Sequence, residues 1–208
     1  MGSVLILAEK PSQATAYASA FQNTSKKDGH IEVNDRRYFN DKAVITWGIG
    51  HLVSLVMPGA YKKEWERWSL EHLPILPDHY KFEVPKDKKK QFNIVKGLLQ
   101  KASEIVVATD AGREGENIAR SIIRKAGAEN KPTKRLWINS LEVEEIQKGF
   151  ENLHSGNKYL SIYEEAQARQ IGDWLVGMNA SPYIRCCCRK RGFGKRSVWE
   201  GFRHQRCI

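Results

Sequence analysis

At 208 residues the chain is long enough to bury one good core and the beginning of a second domain, and too short for two complete enzymatic domains. A hydrophobic content of 41% with 10% aromatics excludes a disordered chain. No apolar run approaches the ~20 residues of a membrane span, and no basic region precedes the first apolar stretch, so a cytoplasmic protein without signal peptide or membrane partner is expected. The net charge of +10 is unevenly placed. Residues 183–208 hold eight of the 34 Lys and Arg and one of the 24 Asp and Glu, leaving 26 basic against 23 acidic residues, or +3, for residues 1–182.

In chain order, residues 3–8 form a short apolar run that stops at Glu9, Lys10 and Pro11, after which Ser12 is placed to cap a helix through about residue 21. Residues 30–56 alternate enough to suggest strands, closing on Trp47-Gly48-Ile49-Gly50-His51-Leu52. A basic stretch over 86–91 leads into a helix over about 91–101. Residues 104–108 are then a continuous run rich in Val and Ile, the mark of a strand buried on both faces of a parallel sheet. Directly behind it, Thr109-Asp110-Ala111-Gly112-Arg113-Glu114-Gly115-Glu116 opens a helix to about residue 126. A strand over 134–138 and a helix over 141–153 follow, and residues 159–177 carry apolar positions at helical spacing. Alternating strands and helices predict an α/β fold with a central parallel sheet flanked by helices, whose ligands gather at the carboxyl ends of the strands.

Glu9 and the Asp110/Glu114 pair each follow a buried strand, so this fold brings carboxylates from two distant segments to one rim. Such a rim suits a hard cation: Mg²⁺ takes a few carboxylate oxygens together with water and phosphate oxygens. Lys10 and Arg113, beside the acids, are placed to hold phosphate oxygens, and Gly112 and Gly115 permit a tight turn ahead of a helix start that favours an anion. Taken singly, the same acids read equally as solvated loop residues or as complements to a helix dipole.

Four blocks carry a more specific resemblance: Leu7-Ala8-Glu9-Lys10-Pro11-Ser12, Thr46-Trp47-Gly48-Ile49-Gly50-His51-Leu52, Ala108-Thr109-Asp110-Ala111-Gly112-Arg113-Glu114-Gly115-Glu116 and Arg135-Leu136-Trp137-Ile138-Asn139-Ser140-Leu141. In this order they resemble the topoisomerase III kind of type IA DNA topoisomerases. Ala168-Arg169 and Asp173-Trp174-Leu175-Val176-Gly177-Met178-Asn179 resemble that family's entry into its next domain. The resemblance implies a Rossmann-like Toprim domain over 1–153, the start of a helical DNA-binding domain over 154–182, and a parent activity that cleaves and rejoins one DNA strand with Mg²⁺. It implies Glu9, Asp110 and Glu114 as metal ligands, with Glu9, Lys10, Arg113 and Glu114 as catalytic residues. His51, Trp68, Arg169, Asp173 and Trp174 are implied as contacts to single-stranded or underwound DNA. Trp68 and Trp174 read equally as core tryptophans, His51 as a turn residue, and Arg169 with Asp173 as a surface ion pair one helical turn apart. Gly112 stands where most of the wider family has a second Asp, so the expected metal site is lighter by one carboxylate.

Beyond Pro182 the helical pattern gives way to Cys186-Cys187-Cys188 and Arg189 to Arg191, with Cys207 near the end. Three adjacent cysteines do not converge on one zinc with the usual two to four intervening residues. A single one-base shift of the codons permits an ordinary helical continuation and then a segment resembling a DNA-contacting block of the same family. The expectation is therefore a frameshift near Pro182, an aberrant tail over 183–208, and a chain without the nucleophilic tyrosine that covalent cleavage requires. Two other readings stay open: a Toprim-type nuclease or primase-like enzyme using similar carboxylates, and a non-catalytic basic module that binds DNA through its tail.

Overall fold

The computed structural model describes residues 3–67 and 69–190, the side chains of 186–190 excepted. Trp68, the cysteine side chains and residues 191–208 lie outside the described residues. The chain divides into two compact units, one made of residues 1–54 and 82–168, the other of 55–81 and the residues from 169 onward.

The first unit begins with β1 (Ser3–Ala8) and α1 (Pro11–Ser19). Then come β2 (Thr24–Lys27), β3 (His30–Val33) and β4 (Ala43–Trp47). The two-residue strands β5 (Ser54–Leu55) and β6 (Phe82–Glu83) form a small sheet of their own. The chain continues through α2 (Lys89–Lys101), β7 (Ala102–Ala108), α3 (Arg113–Ala126), β8 (Thr133–Arg135), α4 (Val143–Glu151), β9 (His154–Ser155) and α5 (Leu160–Lys190). The main sheet has seven strands in the order β2-β3-β4-β1-β7-β8-β9. Its four central strands, β4, β1, β7 and β8, run parallel, and the edges are antiparallel. The expected parallel sheet is thus the centre of a mixed one.

The alternation of side chains along each strand sorts the core into two layers. Ile6 and Ala8 of β1, Val106 and Ala108 of β7 and Ile45 of β4 face a cluster completed by Tyr17 of α1 and Ile146 and Phe150 of α4. Leu5, Leu7, Ile105 and Val107 face the opposite cluster, with Val95 and Leu99 of α2 and Ile118 and Ile122 of α3. Helices on both faces leave the strand ends as the open rim of the unit.

Local boundaries differ from expectation in three places. Lys10 rather than Ser12 precedes α1 and makes no side-chain cap; Pro11, whose missing N–H costs nothing in a first turn, starts the helix. β8 ends at Arg135 rather than at residue 138, and Trp137 instead stacks on Tyr159 at 4.6 Å between centroids. α5 continues through Pro182 to Lys190, where the sequence pattern suggested an end at Pro182.

The second unit packs Trp65, Ile75 and Trp174 into a small core with Tyr61, Leu73 and Tyr80 around it. Asn179 of α5 ties residues 55–81 to the helix: its Oδ1 accepts from the Ile75 N–H at 2.7 Å and its Nδ2 donates to the Ile75 carbonyl at 3.1 Å. No helix among the described residues is long and apolar enough to cross a membrane.

Candidate functional site

The pairing of β1 with β7 sets Ala8 directly opposite Ala108, and that of β1 with β4 sets Ala8 opposite Trp47. The three strands therefore finish level, and the residues that follow them, Glu9, Gly48 and Thr109-Asp110, emerge at one rim. The Asp110 N–H donates to Glu9 Oε2 at 3.3 Å, and Lys10 Nζ lies 3.6 Å from Asp110 Oδ2. Burial, and then the charge of Asp110, push the Glu9 carboxyl above its ordinary range, with the Asp110 N–H and Lys10 opposing them. Two acids from segments a hundred residues apart thus share one small space with incomplete neutralisation.

Two glycines make the close approach possible. Gly48 donates its N–H to Ala8 O at 3.0 Å, and a Cβ there would stand 3.1 Å from the Glu9 carbonyl. At Gly115 a Cβ would fall 2.1 Å from the Asp110 carbonyl, inside any permitted contact. The turn from Asp110 into α3 can close only over glycine at that position. Thr109 Oγ1 donates to the Gly115 carbonyl at 2.8 Å and closes the turn from within.

Beneath the rim lies a charge network that reading the sequence missed. Arg135 is fully buried and donates from Nη1 to the carbonyls of Val107, Thr109 and Leu136, and from Nη2 to that of Asp110 at 2.8 Å. Its Nε faces Glu116 Oε2 at 3.0 Å, and the other oxygen of the buried Glu116 accepts from Arg120 Nε at 2.9 Å. Burial lowers the Arg135 pKa, and the Glu116 charge opposes that shift. Gln13 was also missed: it is 2% exposed, accepts from the Glu9 N–H and donates to Asp110 Oδ1. A signal for it exists in the sequence, because Gln13 lies four residues before Tyr17 on the apolar face of α1, where a polar side chain must find partners.

The other expected site residues fall into two groups. Glu114 is exposed and lies 3.2 Å from His51 Nε2, while the His51 carbonyl accepts from Lys88 Nζ at 2.7 Å. Arg113 pairs with Glu165 at 2.6 Å. Arg169 and Asp173 form an exposed ion pair at 3.8 Å along α5. Trp174, read as either a stacking platform or core, is core: 8% exposed, its ring set edge-on to Tyr61 and Tyr80, its Nε1 donating to the Val56 carbonyl at 3.1 Å. A ring enclosed in this way offers no face to a base.

The chain is 45% identical over 183 residues to DNA topoisomerase 3 of Bacillus subtilis (strain 168), covering 87% of this chain and 24% of that protein. It is 45% identical over 179 residues to DNA topoisomerase 3 of Staphylococcus aureus (strain USA300), covering 85% and 24%. The chain thus spans about a quarter of the length of these relatives. Among solved structures, full-length topoisomerase I from Thermotoga maritima shares the fold, with a TM-score of 0.52 at 20% identity over 84% of this chain and 24% of that one. The family model described as the Toprim domain matches residues 4–141, which include both acid-bearing loops and the whole parallel centre of the sheet, and the chain belongs to that family.

Proposed function

We propose that this chain is the metal-binding part of a type IA DNA topoisomerase of the topoisomerase III kind, an enzyme that cleaves and rejoins single DNA strands with Mg²⁺. The observation that carries the reading is the meeting of Glu9 and Asp110 at one level of the rim, with the Glu9 carboxyl raised by burial and by its neighbour. Among the described residues no group of three or more His, Cys, Asp or Glu side chains forms a ready-made cage for a metal. Two carboxylates at an open rim nonetheless fit Mg²⁺, which keeps several waters and is completed by phosphate oxygens rather than by an all-protein shell. Bound there, Mg²⁺ supplies charge neutralisation between the acids and a phosphodiester and polarises its oxygens.

The chain's own residues supply the rest. Glu9 and Asp110 hold the cation, with Glu114 close by on the first turn of α3. By the family resemblance, Glu9 also assists proton transfer at the scissile phosphate. Lys10, half exposed beside Asp110, steadies that phosphate, and Arg113 and His51 lie at the same rim for the flanking backbone. Arg169 and Asp173 contact the strand along α5. Trp68 remains in the proposal as a stacking contact and Trp174 does not.

The rim is assigned to binding Mg²⁺ and DNA rather than to covalent attack. Tyr17, which feels the charges of both acids, is buried with its hydroxyl donated to the Ala108 carbonyl at 2.8 Å and its pKa pushed up by burial, the opposite of an activated nucleophile. Calorimetric titration of Mg²⁺ into the wild type, Glu9→Gln and Asp110→Asn tests the reading. Heat of binding in the wild type and its loss in both variants are expected; equal heat in all three would refute the site. Strand nicking without a protein–DNA adduct would instead point to a Toprim-type nuclease.

A further inference from the structure

Two side chains fix the position of Asp110, one from each side of its loop. Arg135 holds the carbonyl from below, at 2.8 Å. Gln13 holds the carboxylate from the side. Its Oε1 accepts from the Glu9 N–H at 2.8 Å and its Nε2 donates to Asp110 Oδ1 at 2.8 Å. One amide therefore spans the two acid-bearing loops, and both of its ends are satisfied in doing so. Because an N–H stands on one side and a carboxylate on the other, the donor and acceptor ends have a single consistent assignment. Neither Asp nor Glu could replace it with both contacts intact, since an ionised carboxylate has no donor to offer Asp110.

We infer that Gln13 is a positioning residue for cation binding, holding Asp110 by Oδ1 so that Oδ2, the oxygen free of the amide, is presented to a divalent cation. The inference rests on Glu9 and Asp110 being the metal site. Oδ2 is the oxygen that faces Lys10 Nζ at 3.6 Å, so it already points to the side where positive charge is held. Asp110 side-chain exposure of 55% leaves that side open to solvent and to a hydrated ion. Without the amide, Asp110 is free to rotate about its side-chain torsions, and ordering it becomes a cost of binding. Groups that orient metal ligands in this way typically account for about 10-fold to 100-fold in metal affinity.

The test is Mg²⁺ titration into the full chain, comparing wild type, Gln13→Met and Asp110→Asn. Methionine keeps the length and fills the buried space while removing both hydrogen bonds. Gln13→Met is expected to bind Mg²⁺ about 10-fold more weakly, and Asp110→Asn to lose binding. If Asp110→Asn loses binding and Gln13→Met binds as the wild type does, the positioning role is overturned. If Asp110→Asn binds as the wild type does, it is the metal reading itself that fails. Should Gln13→Met not fold, the wild type still decides: the Gln13 side-chain amide resonances are expected to shift on Mg²⁺ saturation, and to lose that response in Asp110→Asn. An amide unmoved by saturating Mg²⁺ in a wild type that binds it overturns the inference.

Discussion

Glu116 is the residue whose surroundings explain most about why the rim holds its shape. One carboxylate, wholly out of water, meets Arg135 on one oxygen and Arg120 on the other. Arg135 in turn holds the Thr109 and Asp110 carbonyls, which lie past the end of β7 and outside the sheet ladder, and shares the Val107 carbonyl with the Leu136 N–H. Removing one partner of a buried ion pair strands the other, at a cost of about 3–5 kcal/mol. The exposed Arg113–Glu165 and Arg169–Asp173 pairs are worth about 0–1 kcal/mol each. Glu116→Gln is accordingly expected to lower the stability of the first unit by about 3 kcal/mol in urea unfolding, against no measurable loss for Glu165→Gln. A Glu116→Gln variant as stable as the wild type would show that the network is not what holds the turn. Glu9 and Asp110 were legible in the sequence because their signal is local, an acid directly behind a buried strand. Gln13 and Arg135 act through partners 97 and 25 residues away, and nothing in a window around either names those partners.

At the scale of elements, the central strands and the helices behind them were legible because their apolar periods are long and continuous. The edges were not. β2 is four exposed residues, Thr24–Lys27, and β9 is two, His154–Ser155; each exists by pairing with a neighbour rather than by any pattern of its own. The link from β3 to β4 shows how such a margin is held without a core pattern. Asp35, nearly buried, accepts from the Gln22 and Arg37 N–H groups and from the Arg37 guanidinium, which rests over Tyr38. The Arg37 side-chain hydrogen bonds, ahead of those from the backbone, hold its carboxyl well below the ordinary value of 3.8. The folded state therefore favours the ionised form more than the unfolded chain does. That contribution is fully present above about pH 4 and is lost as pH falls toward the depressed value. Asp35→Asn is expected to be less stable than the wild type by about 1 kcal/mol at pH 7, with the gap closing as the pH is lowered from 4 toward 2. Thermal midpoints measured across that range check it, and a gap independent of pH would show that the carboxylate charge plays no part.

For the whole molecule, the expected order was a Toprim domain to residue 153 and helical material after it. The compact units cut across that order, because residues 55–81 belong with the later part of α5 and not with the sheet they interrupt. Composition does not announce this: beyond Leu55 of β5, the described residues up to 81 form only short 3-10 turns, and their apolar side chains find partners more than 90 residues further along. What makes the pairing specific is Asn179, which meets both backbone groups of Ile75 as a neighbouring strand would, and also donates to its own helix at the Leu175 carbonyl at 2.9 Å. Asn179→Ala leaves the Ile75 N–H and carbonyl without these partners beside the buried Ile75 side chain, a loss of about 2 kcal/mol. Amide exchange over residues 55–81 is then expected to quicken about 30-fold, since each 1.4 kcal/mol is a factor of ten in the opening equilibrium. The Mg²⁺ affinity of the first unit should stay unchanged, because every residue assigned to the cation lies in residues 9–114. If Asn179→Ala weakened Mg²⁺ binding as much as it loosened residues 55–81, the two units would not be separate in energy, and the second would have to be counted as part of the metal site's support.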